Sequence, residues 1–345
     1  MKNLISVLKK AGKPTQVFES PDGTRVLILP YGGRVLGLFA PQSEENFYWT
    51  HPALESVGTT CAFYGSDQWH NSGGDRTWLA PEVDLFFPHF PKLDGYFQQP
   101  SLDPGNHRVV ATRGGFKLVN RLTVNLSRAR RNASLKITKS FGPAPNPLRH
   151  EREADLSGLE YAGYTQRTSL ELVGQSKGIE TRVGLWNLVQ MPHGGDLLIP
   201  TYGRTEPIRI FGSIPEKDLT ISDHLVRYRM RQKGEHKISL RAIATCGRVG
   251  YLYSKAGKWC LIIRNFAVNP SGEYVDVPWN DANNCGFSTQ ACSVNSSLGH
   301  FSELEYHIPA IGHGTGLTRC DDETQVWAFR GSKTEISRVC GLLVG

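Results

Sequence analysis

Between Arg25 and Phe329 the chain keeps returning to short runs in which apolar and polar residues take turns. Leu122-Thr-Val-Asn-Leu126 and Ser134-Leu-Lys-Ile-Thr138 are two of them, and Tyr164-Thr-Gln-Arg-Thr-Ser-Leu-Glu-Leu-Val173 is a longer one. A period of two sends alternate side chains to opposite faces of a strand, so each run describes a sheet with one dry and one wet face. The 36 glycines and 20 prolines among 345 residues supply the turns that many short strands need. The pattern predicts an all-β fold of antiparallel sheets.

Arg25-Val-Leu-Ile-Leu29 and Arg34-Val-Leu-Gly-Leu-Phe39 flank Tyr31-Gly-Gly33 and read as a hairpin. Further strands are expected at 46–49, 108–112, 116–119, 184–191, 196–200, 225–230, 237–242, 250–253, 259–266 and 300–307. A last one, 325–329, would pair with an edge. A short amphipathic helix is expected at 3–11, with Leu4, Ile5 and Leu8 on one side and Gly12 closing it. Phe141-Gly-Pro-Ala-Pro-Asn-Pro147 is where the chain would divide if it did. The same texture on either side argues instead for one continuous sheet system, residues 1–345 as a single domain with a helical lead over 1–12.

Composition narrows the function classes. The net charge is +7, but the basic residues are scattered, and the cluster Arg128-Ala-Arg130-Arg131 follows a strand-like run as a solvated turn. Without a basic stripe interleaved with aromatics, nucleic acid is not an expected partner. Seven cysteines (Cys61, Cys246, Cys260, Cys285, Cys292, Cys320 and Cys340) make an odd count with no CxxC pair. Neither a disulfide framework nor a zinc site is signalled, and reduced, mostly buried thiols are expected. No run approaches the ~20 apolar residues of a membrane span, and the first residues lack a signal peptide's apolar core. A cytoplasmic protein without membrane association follows. No spacing calls for a metal or other cofactor.

One stretch breaks the alternation. Gly65-Ser-Asp-Gln-Trp-His-Asn-Ser-Gly-Gly-Asp-Arg-Thr-Trp-Leu-Ala-Pro-Glu82, continuing to Pro91, shows neither helix nor strand periodicity. It gathers Trp69, His70, Asn71, Asp75, Arg76, Trp78 and Glu82 around Gly73-Gly74, whose backbone can take conformations closed to other residues. Loops on a rigid scaffold commonly carry function, so these residues are candidates for a binding surface. The competing account is a connecting loop fastened down by its tryptophans and arginine. Arg76 offers a planar fork of donors suited to hydroxyls or a carboxylate, unless Asp75 is simply its ion-pair partner.

Two further places carry candidate chemistry. Glu303 and Glu305 are two positions apart on a strand, hence on one face, where paired carboxylates raise each other's pKa and can serve as general bases. The alternative is two solvated glutamates. His193, in Pro192-His-Gly-Gly195 after an apolar strand containing Trp186, is placed to donate or accept a proton, or to bond the backbone of its own turn. Trp49, Trp69, Trp78, Trp186 and Trp279 are candidate platforms for sugar rings, though most large aromatics belong to cores.

Taken in order, several segments resemble the galactose mutarotase-like superfamily of β-supersandwich proteins. They are Leu29-Pro-Tyr-Gly-Gly33, Asn46-Phe-Tyr-Trp-Thr-His-Pro52, Gly73-Gly-Asp-Arg-Thr-Trp-Leu-Ala-Pro-Glu82, the stretch from Trp186 to Gly195, Lys258-Trp-Cys-Leu-Ile-Ile-Arg-Asn-Phe266 and Phe301-Ser-Glu-Leu-Glu-Tyr-His-Ile-Pro309. The likeness runs from about Gln16 to Gly312, and the Gly73–Glu82 stretch is closest to an uncharacterised bacterial branch. It implies an antiparallel β-supersandwich that binds a carbohydrate, and an aldose 1-epimerase-like reaction without cofactor. By resemblance, Glu305 or Glu303 is the base, His193 or His70 the acid, and Arg76 binds a hydroxyl. Asp75, Asn71, Trp78, Glu82 and Trp186 complete the expected sugar-binding set. The sequence departs from the family at one strand, since Tyr164-Thr-Gln-Arg-Thr-Ser169 does not supply the Asn-His-x-Tyr-Phe-Asn-like motif that carries the acid histidine. Two alternatives therefore stand beside the epimerase: a polysaccharide lyase or glycoside-processing enzyme on the same fold, and a non-catalytic sugar-binding module. Oligomeric state is left open.

Overall fold

A computed structural model describes residues 1–152, 158–174 and 182–345. Among these residues the first strands are β1 (Gln16–Glu19), β2 (Arg25–Leu29), β3 (Arg34–Phe39), β4 (Asp75–Ala80), β5 (Arg108–Thr112), β6 (Gly115–Leu126) and β7 (Arg131–Pro143). Then come β8 (Glu160–Leu172), β9 (Arg182–Pro192), β10 (Asp196–Pro200), β11 (Ile208–Phe211), β12 (Leu219–Ile221), β13 (Leu225–Arg229) and β14 (Gly234–Arg241). The last are β15 (Arg248–Lys255), β16 (Lys258–Phe266), β17 (Phe287–Ser296), β18 (Gly299–His307), β19 (Ile311–Gly312) and β20 (Arg319–Gly331). The helices are α1 (Lys2–Lys10), α2 (Val57–Gly65), α3 (Glu82–Leu85) and α4 (Lys333–Leu343).

The strands form two ten-stranded antiparallel sheets. The front sheet runs β1-β2-β3-β4-β9-β18-β17-β14-β11, with β19 added against β9. The back sheet runs β12-β13-β10-β15-β16-β20-β8-β7-β6-β5. Leu79, Leu185, Val189, Leu304 and Ile238 of the front sheet share one buried cluster with Tyr164, Leu170, Leu197, Ile262 and Val326 of the back sheet. Each such side chain contributes about 1.5–3 kcal/mol by leaving water, so this layer is what holds the sheets face to face. The fold is the all-β sandwich that the alternating runs predict.

β7 and β8, on either side of the proline-rich stretch 141–147, pair with each other from Leu135↔Leu172 to Pro143↔Tyr164. Helix α1 matches the expected lead. Helix α4 closes the outer face of the back sheet, where Ile336 and Val339 pack with Leu261, Ile263 and Phe329. Its start is a capping box in which Ser332 and Glu335 satisfy each other's backbone N–H groups. Residues 46–49 are not a strand; Asn46 Oδ1 accepts from the N–H groups of Leu38 and Tyr48 and holds the segment as a turn. No helix among the described residues is long and apolar enough to cross a membrane.

The most consequential difference lies in the stretch expected to be a loop. Its second half is β4, an interior strand of the front sheet between β3 and β9. All six residues of β4 are buried, so no wet face imprints an alternation on the sequence. Gly73 and Gly74 lead into it with φ of 96° and 71°. A side chain on either would collide with the carbonyl oxygen of Trp49 or of Val35, so only glycine brings the chain close enough to pair.

Candidate functional site

Strand register alone assembles the site. In an antiparallel sheet, directly paired residues point to the same face. Gln190 on β9 pairs Glu303 on β18, Glu303 pairs Cys292 on β17, Cys292 pairs Lys237 on β14, and Lys237 pairs Phe211 on β11. One row therefore crosses five strands on the outer face of the front sheet. The next row places Arg76, Leu188 and Glu305 side by side, and the row after it Trp78, Trp186 and His307.

All of these residues except Gln190 and His307 line a cavity of about 470 Å³. Its wall is completed by Trp69 from the segment before β4, Glu82 from α3, and Tyr96 and Trp279 from later connections. The lining combines indole and phenyl faces with two cations and four carboxylates, a mixture suited to a polar ligand with apolar C–H faces.

Every charged group in the cavity is held from at least one side. Arg76 Nη2 donates to Glu303 Oε1 at 2.8 Å, and Gln190 Nε2 donates to the same oxygen at 3.0 Å. The Arg76 guanidinium also lies over the Trp78 ring, 4.1 Å from its centre. Trp186 Nε1 donates to Glu305 Oε2 at 2.8 Å, and Lys237 Nζ stands 3.3 Å from that oxygen. Lys237 reaches Glu82 Oε2 at 3.2 Å, Trp279 Nε1 donates to it at 3.0 Å, and the Tyr96 hydroxyl donates to Glu82 Oε1 at 2.8 Å.

Burial and the neighbouring charges shift the groups in different directions. Glu305 is fully buried, which raises its carboxyl to about 8; Lys237 opposes the rise, while Glu303 and Glu82 add to it. Burial alone would lower Lys237, but Glu305 and Glu82 hold its ammonium above the ordinary lysine range. The Cys292 thiol is driven well up by burial and then by the two neighbouring glutamates. A carboxyl titrating near neutrality beside a fixed ammonium is equipped to move a proton in either direction.

Of the residues expected from sequence, Arg76, Trp78, Glu82, Trp186, Glu303 and Glu305 converge on this cavity. The other four do not line it. Asp75, one position from Arg76, points through the sheet to the opposite face, where its partner is Arg264 on β16 at 2.8 Å, not Arg76. Asn71 is buried outside the lining. His70 bonds the Tyr31 hydroxyl through Nδ1 at 2.6 Å and packs against Phe63 and Tyr64. His193 lies beyond the end of β9, with Nε2 3.3 Å from Ser293 Oγ, a residue of the opposite sheet face. No histidine among the described residues lines the cavity.

His307 comes nearest, stacked on Trp186 with ring centres 5.6 Å apart and bonded through Nε2 to Gln290 at 2.8 Å. Burial, reinforced by Lys237, pushes it well below the usual histidine range and keeps it neutral. Lys237, Cys292, Gln190 and Tyr96 were not legible as site residues, because only cross-strand register and the 86–100 connection bring them in. Among the candidate platforms, Trp69, Trp78, Trp186 and Trp279 line the cavity, whereas Trp49 stands behind Phe301 with ring centres 4.8 Å apart.

No family model and no curated protein matches the sequence. Among solved structures, galactose 1-epimerase from Lactobacillus acidophilus NCFM is 9% identical, with a TM-score of 0.42 over 92% of this chain and 94% of that one. A GalM/aldose epimerase homologue from C. elegans is 8% identical, with a TM-score of 0.38 over 93% of this chain and all of that one. A 4-alpha-glucanotransferase from Thermococcus litoralis, 8% identical, gives a TM-score of 0.36 over 94% of this chain and 41% of its own length. At these identities and TM-scores the comparisons assign this chain neither a family nor a role for any of its residues.

Proposed function

We propose that the cavity on the front sheet binds a carbohydrate and interconverts its anomers, an aldose 1-epimerase-like reaction driven by Glu305 and Lys237. The observation that carries this reading is Glu305 itself: a wholly buried carboxyl raised to about 8, with Lys237 Nζ 3.3 Å away, in an aromatic-lined cavity. In its ionised form Glu305 takes the proton of the anomeric hydroxyl. As the bond between the anomeric carbon and the ring oxygen breaks, Lys237 donates a proton to that oxygen. Protonated Glu305 and neutral Lys237 are then the acid and the base that ring closure needs, so closure restores both groups without a cofactor. Rotation about the next carbon–carbon bond and the reverse steps give the other anomer. Arg76, fixed by Glu303 and Trp78, presents its remaining donors to hydroxyls, and Trp279 offers an indole face. Lys237 thus takes the part that resemblance assigns to a histidine.

Polarimetry on freshly dissolved aldoses tests this. The protein should speed the approach to the equilibrium rotation, and Glu305→Gln or Lys237→Met should lower the rate by about 10²–10⁴-fold, the usual worth of a positioned acid or base. An undiminished rate in a Glu303→Gln, Glu305→Gln double variant would contradict it. A second reading, a non-catalytic sugar-binding module, is favoured by one observation: Glu82 is spent on three partners and Glu303 on two, as in a rigid recognition site. Tight sugar binding with no faster anomer exchange would decide for it.

A further inference from the structure

A different property of the same cavity floor does not depend on the reaction just described. Cys292 and Glu303 are direct cross-strand partners, and Glu305 is two positions along the same strand face. The Cys292 Sγ and one carboxylate oxygen from each glutamate lie within 4.8 Å of one another. Donors held ~2.0–2.3 Å from a single ion cannot be more than about 4.6 Å apart, so small side-chain rotations close the trio around one centre. Cys292 lines the cavity and is otherwise buried, 7% exposed.

An independent feature points to something bound there. Glu305 Oε1 is buried and finds no hydrogen-bond partner among the described residues, an unfavourable state for a polar atom. The neighbouring cations do not use that oxygen: Lys237 and Trp186 engage Glu305 Oε2, while Arg76 and Gln190 engage Glu303 Oε1. Each carboxylate is steadied through one oxygen, and Oε1 of Glu305 is left for another partner.

We propose that Cys292, Glu303 and Glu305 form a site for a thiophilic divalent cation of the Zn²⁺ class, open to the cavity at its fourth position. A thiolate with two carboxylates selects zinc or cadmium over magnesium and calcium, which prefer all-oxygen shells. Binding forms a sulfur–metal bond as the thiol, and Glu305 where it is protonated, release their protons to solvent. The ion occupies Glu305, so the metal-bound protein has no free base there and the cation acts as an inhibitor of any proton transfer at that carboxylate.

Titration of the full chain with Cd²⁺, followed by the ultraviolet charge-transfer absorption of a cadmium–thiolate bond, reads the site directly. The wild type should show a band saturating at one ion per chain that is absent in Cys292→Ser, and Glu305→Gln should weaken binding about tenfold or more. Cys61, Cys246 and Cys285 are exposed, so a band that persists unchanged in Cys292→Ser belongs to them and overturns the proposal. On the unaltered protein, Zn²⁺ but not Mg²⁺ should slow alkylation of Cys292, followed by peptide mass spectrometry. Alkylation indifferent to Zn²⁺ overturns it equally. Neither readout involves a sugar, so a failure here and a failure of the anomerase reading are separate results.

Discussion

Glu305 is surrounded by a wall that disfavours its charge and a lysine that favours it, and the wall prevails. The sign of the consequence follows. A carboxyl whose folded value lies above its unfolded one contributes stability at low pH that is lost as pH rises through the folded value. The protein should therefore lose stability between pH 4.5 and about 8 on this account, by at most on the order of 1.4 kcal/mol per pH unit. Glu305→Gln, which keeps the shape but cannot ionise, should show a shallower decline over that window in urea unfolding. Parallel curves for the two proteins would mean that Glu305 is ionised throughout and not a poised acid.

Strand β4 shows what one element can carry on two faces. Its outward residues Arg76 and Trp78 line the cavity, and its inward residue Asp75 meets Arg264 of the back sheet and the Tyr164 hydroxyl, each at 2.8 Å. Asp75 is thus a clamp between the sheets. Removing it leaves a guanidinium buried and unpaired, so Asp75→Ala should cost about 3–5 kcal/mol in chemical denaturation. A cost below ~1 kcal/mol would mean that Arg264 finds another partner. The same strand shows where sequence reading stops. Strands with one wet face, such as β7, announce themselves by alternation. Strand β4 is buried on both faces and reads as a featureless loop. The segment expected at a sheet edge, 325–329, is part of β20 at the centre of the back sheet, between β16 and β8. Backbone position in a sheet is set by distant partners, which local pattern does not carry.

At the scale of the whole molecule, the site exists because the front sheet orders its strands β4-β9-β18-β17-β14, far from their order along the chain. That order brings Arg76 and Glu303 to 2.8 Å across 227 residues of sequence. Residues sharing a strand, Glu303 and Glu305, were recognisable as a pair because a period of two fixes their common face. Lys237 and Cys292 sit in ordinary alternating or apolar runs, and nothing local distinguishes them from core or surface positions. His193 and His70 had the chemistry of an acid but not the address. The sandwich was therefore legible from pattern, part of the cavity from local chemistry, and Lys237, the proposed partner of Glu305, only from register.

The most direct measurement is magnetisation exchange between sugar anomers by NMR, as a function of pH, with the wild type and Glu305→Gln side by side. The proposed chemistry predicts exchange that rises as pH approaches about 8, where Glu305 becomes the ionised base, and that collapses at every pH in the variant. Exchange equally fast in Glu305→Gln, or flat across that range in the wild type, would contradict it.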